Sequence, residues 1–225
     1  MKKIMLLMAT LLMAYCAQAQ NDGRREWLGT FSSISLIGDM KVTLVLIEEG
    51  GQPMMIVKAE DRELSKLKYT INNKGELSVR ESNNRKRLTR TEIEIHFVAV
   101  DAIEVSGSDV EVKGTIEAPI FDVKVSNNGF FKAEIDTQDL MIKASGQSTI
   151  DIDGRARYLI ADATVAKLDL RELETMSAEV QAAQRGEISL FCTERLAATA
   201  NLGGTVFYRG NPLHRCLRSG TCPHR

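Results

Sequence analysis

The sequence predicts an all-β protein built as a β-solenoid, and three observations carry that prediction. From Ala102 to Tyr208 the chain repeats itself about every nineteen residues, as IEVSGSDVEV from Ile103, VKVSNNGFFKA from Val123, IKASGQSTIDI from Ile142, ADATVAKLDL from Ala161, VQAAQRGEISL from Val180 and TANLGGTVFY from Thr199. Each copy holds two runs of alternating apolar and polar residues around a small or Gly/Asn turn, the period-two signature of strands. The residue closing each first run, Ser106, Ser126, Ser145, Thr164, Ala183 and Asn201, recurs at intervals of 20, 19, 19, 19 and 18. Drift by one residue is what turn insertions produce. A fixed period near twenty means stacked coils, here about six coils of 18–20 residues in the C-terminal half of a parallel β-helix.

The first nineteen residues read as an export signal. Lys2 and Lys3 are followed by an apolar run from Ile4 to Tyr15, too short for the roughly 20 residues of a spanning helix. Ala17-Gln18-Ala19 supplies small residues at the cleavage-determining positions. Tyr15 before Cys16 argues against a lipid-modified cysteine. No later segment approaches spanning length. The mature chain is expected to start at Gln20 and to form one domain: an irregular strand-rich part over 29–100, the coils over 101–208, and a basic Cys/His tail over 209–225.

In the irregular part the expected strands are Phe31 to Leu36, Met40 to Ile47, Pro53 to Ala59, Lys68 to Ile71, Glu76 to Arg80 and Glu92 to Phe97. Glu48-Glu49-Gly50-Gly51 marks one turn, and Asn72-Asn73-Lys74-Gly75 marks a hairpin, because Asn and Gly tolerate positive φ. Glu60 to Leu67 suits a short helical turn. In the coils, alternation assigns the interior on the first run to Ile103, Val105, Val123, Val125, Ile142, Ala144, Ala161, Ala163, Val180, Ala182, Ala198 and Ala200. On the second run it assigns Val110, Val112, Phe131, Ala133, Ile150, Ile152, Leu168, Leu170, Ile188, Leu190 and Val206. The residues between these point outward, among them Glu111, Lys132, Asp151, Asp169, Ser189 and Phe207.

Composition narrows the function. A formal net charge of −1 and a pI near 6.3 give no electrostatic case for nucleic acid, and 5% aromatic residues leave little for a stacking surface. Three His, namely His96, His214 and His224, offer almost no material for a triad. Ser106-Gly107-Ser108 and Ser145-Gly146-Gln147-Ser148 fall at turns with no base supplied. Gly203-Gly204 is a turn, not a phosphate loop, since no Lys follows it. Nothing in the sequence calls for a cofactor, and outside the C-terminal tail nothing calls for a resident metal. On one ladder Asp151 and Asp169 are successive carboxylates, the single arrangement that favours a carbohydrate-active β-helix enzyme; the mixed charges around them fit a solvated sheet edge instead.

Candidate contacts for a binding role are the loop cations Arg85, Lys86 and Arg87, with Arg90, and the outward aromatics Tyr158, Phe207 and Tyr208. In the tail, His214, Cys216, Cys222 and His224 leave three readings open: a Cys216–Cys222 disulfide, a tetrahedral metal site, or unpaired thiols. Arg209, Arg215, Arg218 and Arg225 follow Glu194 with no acidic residue after it, a charged cap on the last coil.

The segments GTFSSISLIGDMKVTLVLIEEG, GELSVRES, IEVSGSDVEVKG and VFYRGNP followed by SGT resemble the bacterial GIN domain, a family of secreted proteins labelled auto-transporter adhesin heads. The resemblance spans roughly Gly29 to Gly220. It implies a right-handed parallel β-helix, export by a Gram-negative bacterium to the periplasm or outer surface, and adhesion without a catalytic signature. Family members continue after YxGNP with a Gly-rich closing strand, whereas this chain gives CLRSGTCPHR, so the last coil is expected to be incomplete or differently capped. The leading expectation is a non-catalytic envelope module contacting a glycan or an envelope or surface protein. The alternatives are the carbohydrate-active enzyme and a structural protein that associates through its coil ends.

Overall fold

A computed structural model describes residues 23–59, 65–82, 90–218 and 222–223. The expected signal, most of the Glu60–Leu67 turn, and Arg85, Lys86 and Arg87 lie outside the described residues; Ser65 and Lys66 form a turn rather than a helix. Fifteen strands make one sheet system: β1 Arg24–Trp27, β2 Ser33–Ile37, β3 Met40–Leu46, β4 Met54–Lys58, β5 Leu67–Ile71, β6 Glu76–Glu81, β7 Thr91–Phe97, β8 Ala102–Ser106, β9 Asp109–Ser126, β10 Phe130–Ser145, β11 Thr149–Thr164, β12 Lys167–Ala183, β13 Glu187–Asn201, β14 Thr205–Arg209 and β15 His214–Arg218. The fold is a β-solenoid with no helix among the described residues.

From β9 to β13 each coil is one long strand, bent midway and closed by a single tight turn. Its first face carries the ladder through Val105, Val125, Ala144, Ala163 and Ala182. A second face carries the ladder through Val110, Phe131, Ile150, Leu168 and Ile188. The sequence pattern shows two strands per repeat; the structure adds a third short face around Ile116, Ile135 and Leu173, all nearly inaccessible to solvent. That face escapes a period-two reading because a register shift at the bend, between Asp151 and Gly154 in the β11–β12 pair, breaks the alternation.

Every residue assigned to the interior from the alternation is buried. These side chains stack on identical positions of the neighbouring coils, so one continuous apolar column runs along the molecule, the arrangement that gives repeat proteins their nearest-neighbour stability. Ser189 departs from the outward assignment: it is 7% exposed, a small side chain lodged in register between Asp169 and Phe207.

The N-terminal segment lacks the nineteen-residue beat because its strands enter the stack out of chain order. β2 lies between β6 and β8, all parallel. β3 likewise lies between β7 and β9. The coil formed first in the chain is thus sandwiched between one built from residues 76–97 and one beginning at residue 102. Antiparallel strands finish that end: β4 against β7, β1 against β4, and β5 against β6. The β5–β6 hairpin turns at the expected Asn72–Gly75, where Asn72 Oδ1 accepts from the Lys74 and Glu76 amides at 2.9 and 3.1 Å.

Candidate binding surfaces

Outward residues on the first face make the most distinctive surface. Pro119 and the bend beside it end the third face, after which Ile120, Asp122 and Lys124 alternate outward on β9. Register pairs Met141 directly with Ile160, and places Ile120 and Tyr158 on either side of Asp139. Ile120 is 52% exposed, Tyr158 and Ile160 are each 47% and Met141 is 36%, so four large apolar side chains share one flat patch. Neighbouring strands about 4.8 Å apart keep them contiguous. The Arg157 guanidinium lies 5.6 Å from the centroid of the Tyr158 ring, within cation–π range. Sequence reasoning finds Tyr158 here; it misses the three aliphatic residues, whose outward positions follow from the bend.

Next to the patch is a shallow groove of about 120 Å³ lined by small side chains, including Ser33, Ser35 and Ala102, with Glu104, Asp122 and Lys124 on its walls. The volume is well under the ~300–1,000 Å³ of pockets that enclose a small molecule. A groove this shallow has room to contact a molecule across a surface but not to enclose one. Asp122 Oδ1 is buried with no hydrogen-bond partner among the described residues.

The other candidates divide. Phe207 is half-buried on the outward side of β14, as expected. Tyr208 is a correction: it is 4% exposed, because consecutive strand residues point to opposite sides and it pairs with the interior Leu190. Its hydroxyl accepts from Arg215 Nη1 at 3.3 Å, so it closes the core and presents no aromatic to a ligand. Arg90 pairs with Asp39 at 2.6 Å and with Asp109, stapling adjacent turns. Cys216 is exposed, Cys222 packs against the core, and both carry free thiols in this structure. No three His, Cys, Asp or Glu side chains converge on a metal position among the described residues.

Asp151 and Asp169 are direct cross-strand partners, as the ladder requires. Each is held by its own cation: Lys132 Nζ lies 2.9 Å from Asp151 Oδ2, and Arg171 Nε donates to Asp169 Oδ1 at 2.7 Å. The Arg171 hydrogen bond keeps the Asp169 carboxyl below the usual carboxylate range. An acid–base pair needs one carboxyl held protonated near neutral pH, and Asp169 is drawn the other way by Arg171. Nearby Asp153 is pushed up by burial and then by the Asp151 carboxylate. The turn serines have structural partners: Ser108 Oγ donates to the Gly38 carbonyl at 2.6 Å and Ser148 Oγ to the Ser145 carbonyl at 2.8 Å. His96 Nε2 lies 2.6 Å from Glu94 Oε1.

The fold recurs in other proteins. Residues 30–212 match the family described as "Putative auto-transporter adhesin, head GIN domain". The chain belongs to this family. Among solved structures, a "putative adhesin" from Bacteroides fragilis superposes with a TM-score of 0.81 at 16% identity, over 89% of this chain and 94% of that one. A "putative lipid binding protein" from Parabacteroides distasonis gives 0.65 at 14% identity, over 90% and 95%. A "putative adhesin" from Parabacteroides merdae gives 0.66 at 12% identity, over 90% and 95%. At these identities the likeness is one of GIN fold, not of ligand. No curated protein matches the chain. Among the described residues of this GIN domain, no helix is long and apolar enough to cross a membrane.

Proposed function

We propose that this GIN domain is an exported, non-catalytic cell-envelope module that binds its partner across the first face. The single observation carrying the reading is the contiguous exposed patch of Ile120, Met141, Tyr158 and Ile160 beside the Ser33–Ser35–Ala102 groove. A rigid stack presents such a face with little ordering cost on binding. The patch supplies apolar area, and Asp139, Lys124 and Lys143 around it supply polar selectivity. The aliphatic character favours an envelope or surface protein, or the apolar face of a sugar ring against Tyr158. The family description, and the adhesin names of its structural neighbours, support surface attachment.

The test is a paired screen of the mature chain and of a Tyr158→Ala/Ile160→Ser double variant. Both are run against a glycan array with and without calcium and against immobilised host-matrix proteins. A signal present with the native face and lost with the double variant is expected. Binding that survives the double variant moves the site elsewhere, and no signal on either panel overturns the reading.

A further inference from the structure

Outward cations of this sheet form ion pairs with their direct cross-strand partners, as Lys41 does with Glu92, Lys132 with Asp151, Arg155 with Asp136 and Lys167 with Glu187. Among the described residues, register sets a Lys or Arg against another in two places. Lys124 faces Lys143, but Lys124 has Glu104 on its other side and Lys143 has Asp162. Lys68 faces Arg80, and there no carboxylate flanks either cation. β5 pairs with β6 alone, and the residue on the far side of Arg80 is Ile37.

Leu77 and Val79 are fully buried, which turns Ser78 and Arg80 outward, and Thr70 stands opposite Ser78. Lys68, Thr70 and Arg80 are exposed and Ser78 is half-buried. Arg80 Nε donates to Ser78 Oγ at 3.3 Å, and neither cation has a carboxylate partner among the described residues. The described carboxylates closest along the strands are engaged elsewhere. Glu76, further along the same face of β6, accepts from Asn72 Nδ2 at 2.8 Å. Glu81 is turned to the buried side, where it accepts from Thr91 Oγ1. Glu26 reaches Tyr69 on the opposite face of β5 and is paired with Arg24. Like charges directly opposite on neighbouring strands are destabilising, so the Lys68 and Arg80 pair carries a cost that the sheet offsets at Lys124 and Lys143.

We infer that Lys68 and Arg80, with the Thr70 and Ser78 hydroxyls beside them, form a binding site for a tetrahedral oxyanion, a phosphate or sulfate group. The planar Arg fork suits two of its oxygens, the Lys ammonium adds a point charge, and the hydroxyls donate to the others. The anion supplies the negative charge that Glu104 and Asp162 supply to the other cation pair. Free phosphate, esters on a polysaccharide and lipid headgroups all carry such a group. The site stands at the N-terminal end of the first face, apart from the patch around Tyr158, and does not rest on the function proposed for that patch.

The experiment is a titration of the isotope-labelled mature chain, followed by amide chemical shifts at low ionic strength, where screening is weakest. The probes are inorganic phosphate and inorganic sulfate, with sodium chloride at matched ionic strength as the control. Expected are saturable shifts confined to residues 68–70 and 78–80, absent with chloride, and binding weakened about fivefold or more in Lys68→Gln and in Arg80→Gln. Lys68→Glu sets a carboxylate opposite Arg80, so it should raise the denaturation midpoint without any anion and lose phosphate binding. Dextran sulfate and phosphatidic acid vesicles then separate the sources. Binding of either that both Gln variants lose assigns the site to a polymer ester or to a lipid headgroup, and response to the inorganic ions alone assigns it to the free anion. Three outcomes overturn the inference: shifts no larger than those with chloride up to about 20 mM anion, equal affinity in the Gln variants, or phosphate binding retained in Lys68→Glu.

Discussion

The Tyr208 hydroxyl and the Arg215 guanidinium, 3.3 Å apart, are both continuations of interior rows, for Tyr208 pairs with Leu190 and Arg215 with Leu196. The column therefore ends in a phenol whose polar tip is satisfied by a cation from the next strand. Removing only the hydroxyl, in Tyr208→Phe, should cost about 1 kcal/mol, and Tyr208→Ala about 3–5 kcal/mol through lost burial and a cavity. Urea denaturation of the three proteins at constant m-value checks both.

At the tight turns the same corner position is Gly107, Gly146 and Val165, each at positive φ and each donating its amide to the next coil. A β-branched residue at φ 55 is sterically strained, by about 1–2 kcal/mol. Val165 is partly exposed, so little packing is lost on replacing it. Val165→Asn should raise stability by about 1 kcal/mol, read as a higher denaturation midpoint; a lower midpoint would show that the valine packs better than its backbone suggests.

Gly154 is the opposite case. A Cβ built there would lie 2.2 Å from the Ile135 carbonyl oxygen, at φ +109. The clash is with backbone hydrogen-bonded in the sheet, which has nowhere to move. Gly154→Ala should cost about 3 kcal/mol or more, seen in denaturation or in failure to recover folded protein.

Two carboxyls on the second face have opposite pH signatures. Asp169, held low by Arg171, contributes stability that is present above its unfolded pKa and lost as pH falls through the folded value. Asp153, held high by burial and by Asp151, costs stability at neutral pH, and that cost vanishes as pH drops below its unfolded value. Asp153→Asn should therefore be more stable than the native chain near pH 7 and indistinguishable near pH 3, whereas Asp169→Asn should be less stable near pH 7, with the difference closing in acid. Solvent screening keeps both effects small.

Thiol chemistry should follow exposure. Burial pushes the Cys192 and Cys222 thiols up, while Cys216 is exposed. In reduced protein a disulfide reagent should react first at Cys216, more slowly at Cys222, and at Cys192 only after unfolding. Exported protein in which Cys216 and Cys222 are both unreactive while Cys192 titrates on unfolding would show that the tail closes by a disulfide.

The interior rows were readable because a strand with one buried face must alternate, and on the first two faces every residue assigned to the interior between Ile103 and Val206 is buried. Tyr208 was misplaced for the same reason in reverse: with Phe207 outward, its neighbour has to point in. Ile120, Met141 and Ile160 were not readable as a surface, since an apolar residue at an outward position looks like core until the bend fixes which parity is outside. The order of the N-terminal coils was also hidden. Nothing local in residues 33–46 states that their partners lie at 76–97 on one side and at 102–113 on the other.

That interleaving bears on synthesis. As the chain emerges, β2 and β3 appear with both edges bare, and neither neighbour exists until the ribosome has passed residue 76. An array whose units follow chain order adds each new coil to one finished edge. Here the inner coil gains neighbours on both sides later in the chain, and the nascent segment must wait through about forty residues of polymerisation with apolar strands unpaired. A holdase that shields residues 33–46 during that interval would matter more to the yield of this protein than any improvement to the regular coils behind it.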